Sequence, residues 1–415
     1  MKQYITSKQV IDSVANTPQV VFEVTDACNL QCRYCLYGDL YADYGERHDK
    51  FLSAELATGF LDNLISIWES NRNQSTYRFT YISFYGGEPT LNMPFIEKIV
   101  NHLNLRKEQG LDHEFQYTMT TNGTLLDRYI DFFIDNKFDI LISLDGNARH
   151  NSYRTFKGGA ESFERISSVL RKIKTEYPEF FESNISFNSV MHDRNSASET
   201  LAYIKSEYGK IPTLSEINTS GVSMQMMDTF KQIYRQSEES STDGETADHL
   251  ISELGSKSNT YREMQRYIRS YSDRYHEDYL QLLGDDEPKR IPTGTCIPFS
   301  RKIFVTVDGK ILPCERISHE YTFGKIDTEN LGIDYEMSAE IYNRLLNQAE
   351  RLCNYCHNKK GCVQCVYAIG KENLGKYCGG FMSKSAFQQH NTRILKCISR
   401  HPDLYKKIME DAIII

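Results

Sequence analysis

The sequence predicts an α/β fold, a partial (β/α)6 barrel of TIM-like type with a helical insertion and a loop-rich, cysteine-rich C-terminal domain. From residue 19 to residue 217, short β-rich runs alternate with longer amphipathic helical stretches. This order produces right-handed crossovers and a parallel sheet. Three of the eleven cysteines lie between residues 28 and 35, and the other eight lie between residues 296 and 397. We therefore expect a barrel domain at 1–222, a helical insertion at 223–290 and a cysteine-rich domain at 291–415.

The predicted elements follow one another as βα units. Strands are predicted at 19–25, 81–85, 115–120, 140–144 and 185–190. Helices are predicted at 53–72, 94–108, 125–136, 162–177 and 196–208. Ser53 is a suitable N-cap and Pro94 a suitable first helical residue. Because chemistry in such folds lies at the C-terminal ends of the strands, we expect the site there.

The C-terminal domain has one clear hairpin signal. Asp308-Gly309 stands between two short β-rich runs. This pair favours a two-residue type I′ turn, in which both central residues need a positive φ. A further helix is predicted at 383–398.

The composition is that of an ordinary globular protein. Hydrophobic residues make up 40% of the 415 residues and charged residues 25%, which excludes wholesale disorder. The 48 Lys and Arg residues are outnumbered by 56 Asp and Glu residues, so no nucleic-acid partner is expected. No apolar run approaches the roughly 20 residues of a membrane-spanning helix, and the N-terminus lacks the apolar stretch of a signal peptide. We therefore expect a cytoplasmic protein with no membrane partner.

The first three cysteines form a candidate metal site directly after the first strand. An odd number of cysteines in a chain without an export signal favours metal or cluster ligation over a disulfide framework. Iron–sulfur clusters held wholly by protein normally take four thiolates. Cys28, Cys32 and Cys35 are three thiolates, so one iron of a four-iron cluster would be free to bind a ligand. Catalytic zinc sites likewise keep one coordination position open. From the spacing alone, a zinc site completed elsewhere in the chain is an equally good interpretation.

Ligand-binding residue types follow the next strands. After the second strand comes Gly86-Gly87-Glu88-Pro89, where paired glycines admit a ligand close to the backbone and Glu88 offers a carboxylate to an ammonium group. Asn122 follows the third strand. Ser143 closes the fourth strand, and Arg154 offers a cation to a ligand carboxylate. All of them would point towards the barrel face that carries the three cysteines.

Together these motifs resemble the radical SAM superfamily over about residues 19–217. Its fingerprint is a Cys-x3-Cys-x2-Cys loop after the first strand, with an aromatic residue, here Tyr34, before the last cysteine. The resemblance implies that Cys28, Cys32 and Cys35 hold a [4Fe–4S] cluster whose fourth iron is chelated by S-adenosylmethionine (SAM). One electron would then cleave SAM to a 5′-deoxyadenosyl radical, which abstracts hydrogen from an unactivated carbon. The SAM-binding residues implied are Tyr34, Gly86, Gly87, Glu88, Pro89, Asn122, Ser143, Arg154 and Asn188, with turn chemistry an alternative for the two asparagines.

The C-terminal cysteines resemble the SPASM extension of radical SAM enzymes, which binds auxiliary iron–sulfur clusters. The family pattern matches at Cys296, Gly309, Cys314, Cys353, Cys356 and Cys362, and it departs where two residues instead of three separate Cys362 from Cys365. The resemblance implies auxiliary cluster I on Cys296, Cys314 and Cys365, with Cys397 as a fourth ligand outside the pattern. Auxiliary cluster II would use Cys353, Cys356, Cys362 and Cys378. A zinc ribbon on Cys353, Cys356, Cys362 and Cys365 and a buried free thiol at Cys397 remain alternatives.

The overall sequence looks closest to maturases of ribosomally made peptides, with the GG-Bacteroidales subfamily as the suggested branch. This resemblance implies an intramolecular crosslink, a thioether or a C–C or C–O bond, in a precursor peptide, and an electron donor of flavodoxin or ferredoxin type. Fewer than twenty residues precede the first strand, so we expect no N-terminal leader-binding domain. Leader recognition would use residues 223–290 or a separate protein.

Two other functions remain open. One is anaerobic sulfatase maturation, in which Cys or Ser is oxidised to formylglycine. The other is a non-catalytic scaffold held together by metal. The sequence singles out no catalytic base.

Overall fold

The structure, a computed structural model, describes residues 2–42, 47–71, 79–219, 221–236, 244–271, 291, 293–370 and 373–411. The chain divides into a sheet unit, residues 6–236 and 297–339, and a helical unit, residues 1–5, 237–296 and 340–415. The three-domain division expected from the sequence stays a prediction. Among the described residues, no helix has the length and apolar character needed to cross a membrane.

The strands all belong to the sheet unit. They are β1 (Gln19–Thr25), β2 (Leu30–Cys32), β3 (Phe79–Gly86), β4 (Glu114–Thr121), β5 (Asp139–Ser143), β6 (Arg154–Phe156), β7 (Ile185–Met191), β8 (Thr213–Glu216), β9 (Ile303–Val305), β10 (Ile311–Leu312), β11 (Gly324–Ile326) and β12 (Leu331–Ile333).

The α-helices are distributed over both units. Those that begin in the sheet unit are α1 (Ser7–Ala15), α2 (Ala54–Asn71), α3 (Met93–Glu108), α4 (Ile130–Asp135), α5 (Phe163–Glu176), α6 (Pro178–Asn184), α7 (Ala197–Tyr208), α8 (Met227–Ile233) and α11 (Tyr335–Cys353). The helical unit contains α9 (Gly244–Leu254), α10 (Asn259–Tyr271), α12 (Lys384–Arg400) and α13 (Pro402–Asp411).

The main sheet has the strand order β10-β9-β1-β3-β4-β5-β7-β8. All neighbours are parallel except β9 and β10. The six strands from β1 to β8 in this order also follow the order of the chain, and a helix comes after each of them. This arrangement confirms the predicted α/β fold with its six βα units. It also brings the carboxyl ends of these strands to one edge of the sheet.

The sheet is packed with aromatic side chains. Six of the seven residues of β1 are buried, as expected of a central parallel strand covered on both faces. Phe22 packs edge-to-face on Phe95 of α3, with ring centroids 5.7 Å apart. Phe84 of β3 stacks on Phe138 at 5.8 Å. The rigid strands formed in this way position the loops at their carboxyl ends.

The hairpin predicted at Asp308-Gly309 is present, but its predicted turn type is wrong. β9 and β10 pair antiparallel. The Thr306 carbonyl accepts a hydrogen bond from the Gly309 amide at 2.8 Å, and the Thr306 amide donates to the Lys310 carbonyl at 2.9 Å. Gly309 has a φ of +75°, whereas Asp308 is not among the positive-φ residues. The connection is therefore a three-residue turn that ends on a left-handed glycine.

Candidate functional site

The three N-terminal cysteines lie on one loop that leaves the carboxyl end of β1. Within this loop, β2 pairs antiparallel with β6, which places Cys32 opposite Arg154. Burial raises the pKa of the Cys32 thiol to about 12, while the charge of Arg154 opposes this and the thiols of Cys35 and Cys28 add to it. Burial also raises the pKa of Cys28. The loop thus gathers three thiols into one electrostatic neighbourhood, where a bound metal would favour their thiolate forms.

Nitrogen donors are directed at two of these sulfurs. Arg47 Nη2 donates to Cys35 Sγ at 2.9 Å. The Leu30 amide and Asn122 Nδ2 lie 3.4 and 3.9 Å from Cys28 Sγ. None of the eleven cysteines forms a disulfide, and no group of three or more His, Cys, Asp or Glu side chains in the described ranges is arranged to hold a metal ion. Hydrogen bonds to sulfur are typical around iron–sulfur clusters, so the donor set fits such a group.

The Gly86-Gly87 turn packs directly on the backbone that leads into the cysteine loop. Gly86 has a φ of +132°. The Gly87 amide donates to the Thr25 carbonyl and the Glu88 amide to the Ala27 carbonyl, both at 2.8 Å. A Cβ at Gly87 would overlap the Ala27 carbonyl. Glycine is therefore required here by the close approach of two backbones.

Glu88 is fully buried and bonded within the protein. Its Oε1 accepts hydrogen bonds from the hydroxyls of Thr90 and Thr121, both at 2.6 Å, and its Oε2 accepts one from the Asn122 amide at 2.8 Å. Burial raises the pKa of this carboxyl, and these hydrogen bonds oppose the rise. The carboxylate thus ties the turn after β3 to the end of β4, which differs from the direct ammonium contact expected from the sequence.

Asn122 connects the end of β4 to the cysteine loop. Its Oδ1 accepts from the Thr124 amide at 3.0 Å, which is turn chemistry of the kind expected for asparagine. Its Nδ2 donates to Asn29 Oδ1 at 2.8 Å, the residue that follows Cys28. Asn122 therefore closes a turn, as one interpretation made from the sequence expected, and lies beside Cys28. Its contact with SAM stays a prediction.

Asp145 is the centre of a buried polar network that sequence reasoning did not select. Arg154 pairs with it through two hydrogen bonds, Nε to Oδ2 at 3.0 Å and Nη2 to Oδ1 at 2.9 Å. The Tyr34 hydroxyl also donates to Oδ2, and the Val190 amide donates to Oδ1 at 2.9 Å. Burial alone would raise the pKa of Asp145, but the charge of Arg154 and a contact with His192 hold it below its usual value. The signal in the sequence was a carboxylate directly after β5, in Ser143-Leu144-Asp145-Gly146.

This network fixes the tyrosine that lies between the second and third cysteines. The Tyr34 ring stacks on His192 with centroids 5.7 Å apart, and the Arg154 guanidinium lies 5.3 Å from the Tyr34 ring centre. Two of the remaining candidates, Ser143 and Asn188, are neighbours in the β5–β7 register. The strand ends therefore gather most of the predicted site residues around the cysteine loop.

A comparison with protein families identifies the domain that carries these residues. The profile described as the radical SAM superfamily matches residues 22–202. Residues 22–202 are a radical SAM domain. Radical SAM enzymes use a [4Fe–4S] cluster and SAM, which confirms the cofactors expected from the sequence.

The proteins that resemble this chain carry the names of enzymes, and the chain spans less than half the length of the first of them. The radical SAM cyclopropyl synthase TigE of Paramaledivibacter caminithermalis is 25% identical over 175 residues, which cover 40% of this chain and only 34% of that enzyme. The cysteine-type anaerobic sulfatase-maturating enzyme of Clostridium novyi is 24% identical over 334 residues, or 76% of each chain. The structure of native anSMEcpe with bound AdoMet has a TM-score of 0.61 at 17% identity and covers 94% of this chain and 98% of that one. This chain therefore has the same fold as anSMEcpe.

The glycine turn of the radical SAM domain gives a direct test of packing. Gly87→Ala should lower the free energy of unfolding by about 1–3 kcal/mol, the usual cost of inserting an atom into a packed position. It should also reduce the iron retained after anaerobic reconstitution, because the Ala27 backbone leads into Cys28. Gly158→Ala is the matched control, since a Cβ there meets no atom within 4 Å. Equal urea midpoints and iron contents for the two variants would show that this close approach is absent.

Glu23 is a second buried carboxylate of the radical SAM domain that sequence reasoning missed. It lies on β1, accepts a hydrogen bond from the Tyr37 hydroxyl, and accepts another from the Val307 amide at 2.8 Å. Burial raises its pKa to about 7, against the lowering effect of these two hydrogen bonds. Glu23 thus links the central strand, the segment after Cys35 and the β9–β10 hairpin.

The raised pKa of Glu23 predicts a pH-dependent stability. The folded protein holds this proton more tightly than the unfolded chain, so the contribution is fully present below about pH 4.5 and is lost as pH rises through about 7. From pH 5 to pH 8 we expect wild type to lose on the order of 3 kcal/mol relative to Glu23→Gln, which carries no such proton. Urea unfolding of both proteins at the two pH values measures this. Parallel pH profiles would contradict it.

In the helical unit, four C-terminal cysteines line one cavity. They are Cys353, Cys356, Cys362 and Cys378, the set expected for auxiliary cluster II. Burial raises the pKa of Cys353 to about 11, and the other three thiols add to the rise. The structure thus brings these four side chains together.

The other C-terminal cysteines have different surroundings. Burial raises the pKa of Cys365, and the neighbouring Cys296 adds to it. Cys314 belongs to the sheet unit, where burial raises its pKa to about 12. Cys397 packs on an apolar cluster of α10 and α13, with its Sγ 3.8 Å from Met264 Sδ. Apolar packing of this kind is typical of a core thiol.

Proposed function

We propose that the protein is a radical SAM enzyme that abstracts hydrogen from a peptide or protein substrate. The observation that carries the proposal is the loop at 28–35, which gathers three thiols at the carboxyl edge of the sheet within a radical SAM domain. Cys28, Cys32 and Cys35 would hold the [4Fe–4S] cluster. When bound, the reduced cluster and SAM supply a 5′-deoxyadenosyl radical that removes hydrogen from an unactivated carbon.

The chain's own residues would bind and orient SAM. The backbone of Gly86 and Gly87 would face its methionine part, while Glu88 would act indirectly by holding the turn in place. Ser143 and Asn188, adjacent at the ends of β5 and β7, would line the same pocket. The remaining candidate contacts, those of Tyr34, Pro89, Asn122 and Arg154, are proposed to lie around it.

The C-terminal cysteines are proposed to bind auxiliary clusters. Cys353, Cys356, Cys362 and Cys378 would hold auxiliary cluster II, supported by their common cavity. The assignment of Cys296, Cys314 and Cys365 to auxiliary cluster I stays a prediction. Cys397 is assigned to the apolar core instead, because its sulfur packs on Met264.

For the reaction, the first candidate is an intramolecular crosslink in a ribosomally made precursor peptide. Similarity to a radical SAM cyclopropyl synthase supports a bond-forming reaction. The second candidate is oxidation of Cys or Ser to formylglycine in a sulfatase, favoured by the sulfatase-maturating relative whose match covers 76% of both chains. The GG-Bacteroidales branch, a flavodoxin or ferredoxin type of donor and leader binding by residues 223–290 or a separate protein stay predictions.

Two measurements, made one after the other, test the proposal. Anaerobically reconstituted protein, given SAM and dithionite, should release 5′-deoxyadenosine, and a protein that retains iron but releases none would contradict the radical SAM assignment. Genome sequencing should reveal whether a short peptide is encoded beside the gene, and co-expression with such a peptide should yield a product that has lost two hydrogen atoms and reacts with no carbonyl reagent. A carbonyl-reactive product from a Cys- or Ser-containing sulfatase peptide would instead establish formylglycine formation.

A further inference from the structure

The segment that carries the proposed auxiliary cluster II is strongly basic in an acidic chain. Residues 351–400 contain nine Lys or Arg residues and one acidic residue, Glu372, whereas the whole chain has 48 Lys or Arg against 56 Asp or Glu. The described basic side chains are all exposed, namely Arg351, Lys359, Lys360, Lys376, Lys384, Arg393, Lys396 and Arg400. Of these, only Arg393 forms an ion pair with a described carboxylate, that of Glu263. Among the described residues, the segment therefore presents exposed positive charge that, apart from Arg393, is not held in ion pairs.

Exposed aromatic side chains accompany this charge. Tyr377 and Phe381 line the four-cysteine cavity and are 66% and 38% exposed. Tyr355, between Cys353 and Cys356, is 73% exposed. Several large apolar side chains left in solvent together are typical of an interaction surface, and aromatic residues inside a charged rim are the usual composition of one.

We propose that this basic face, the exposed side chains of residues 351–370 and 373–384 around the four-cysteine cavity, docks a small acidic one-electron carrier protein. The proposal rests on the proposed function, because the four thiols are taken to hold a cluster that exchanges electrons with that carrier. The carrier, of flavodoxin class, is oxidised by one electron and the cluster is reduced by one, with no bond made or broken. SAM cleavage likewise requires one electron.

The chemistry of the face favours a carrier over an acidic peptide substrate. Electron-transfer partners form small, weak, charge-guided interfaces, and a carrier has to approach a redox centre near the surface. Here the cavity that gathers the four thiols has its aromatic rim in solvent, with Lys359 on its wall. Complementary charge would mainly speed the encounter, which suits a partner that binds and leaves at every turnover.

Charge reversal beside the cavity tests this docking face. The variant K360E/K376E/K384E changes three exposed lysines that do not line the cavity. The matched control, K8E/K172E/K231E, changes three exposed lysines of the sheet unit and alters the net charge equally. The probe is a purified acidic flavodoxin in its hydroquinone form, with binding measured by calorimetry at low salt and 5′-deoxyadenosine release measured in parallel.

We expect the first variant to bind flavodoxin about tenfold or more weakly than wild type and to lose most flavodoxin-driven SAM cleavage, while dithionite-driven cleavage is unchanged. The control variant should match wild type in flavodoxin affinity, in flavodoxin-driven SAM cleavage and in dithionite-driven SAM cleavage. Added salt should weaken binding by wild type and have little effect on the first variant.

If the first variant binds flavodoxin as tightly as the wild-type enzyme does, the proposal is overturned. A loss of affinity for the substrate peptide with flavodoxin binding intact would also overturn it, because the face would then be a peptide site. If dithionite fails to drive cleavage in wild type, the proposed function fails, and the flavodoxin binding comparison still decides the docking face.

Discussion

Replacing Cys32 with alanine is expected to abolish reductive cleavage of SAM. Cys32 lies between the other two thiols in the chain, opposite Arg154 in the β2–β6 pair. Its loss would leave two thiolates on a loop that has only three to offer, and iron–sulfur clusters depend on their full thiolate set. 5′-Deoxyadenosine release should fall to background, and the iron content should drop by the amount of one cluster while the C-terminal cysteines retain theirs.

A second cysteine provides the control for this experiment. Cys397→Ala removes a thiol that packs on Met264 in the helical unit. It should keep wild-type iron content and cleavage, with only a modest loss of stability from the small cavity left behind. Cleavage at the wild-type rate by Cys32→Ala would refute the site. If Cys397→Ala loses the iron of one cluster, Cys397 is a ligand of an auxiliary cluster after all.

Much of the fold and of the loop positions was predictable, because those signals are local. The apolar run of β1 followed at once by Cys28 locates the loop at a strand end. The turn at Gly86 and the residues Asn122 and Ser143 likewise adjoin strands recognisable from a few neighbours. The short strand β8 was missed because Thr213–Glu216 (TLSE) has one buried residue and lies at the edge of the sheet, where β7 is its one neighbour among the described strands.

The roles of the charged residues were harder to predict, since their partners are distant in the chain. Glu88 meets Thr121 across 33 residues, through the pairing of β3 with β4. Arg154 meets Asp145 across nine residues that fold back between β5 and β6. In both cases the sequence offers a charged group at a strand end, and only the fold decides whether it faces a ligand or another side chain.

The pairing of Arg154 with Asp145 leads to the largest expected effect on stability. Asp145→Ala would leave the Arg154 guanidinium buried without its counter-ion and the Tyr34 hydroxyl without its acceptor. Breaking one side of a buried ion pair typically lowers the free energy of unfolding by about 3–5 kcal/mol. Since Tyr34 lies between Cys32 and Cys35, the variant should also retain less iron on the N-terminal loop. Urea unfolding and iron analysis measure the two effects.

The size of that loss separates a buried network from an ordinary ion pair. Asp62→Ala removes a carboxylate that is 41% exposed and contacts His102 and Arg106, and it should cost less than about 1 kcal/mol. The double variant D145A/R154A should be less destabilised than the sum of its single variants, because the uncompensated charge has gone. Additive losses would mean that Arg154 and Asp145 do not act on each other. A small loss in Asp145→Ala alone would mean that water reaches the Arg154 guanidinium, and the fixed position of Tyr34 would then need another cause.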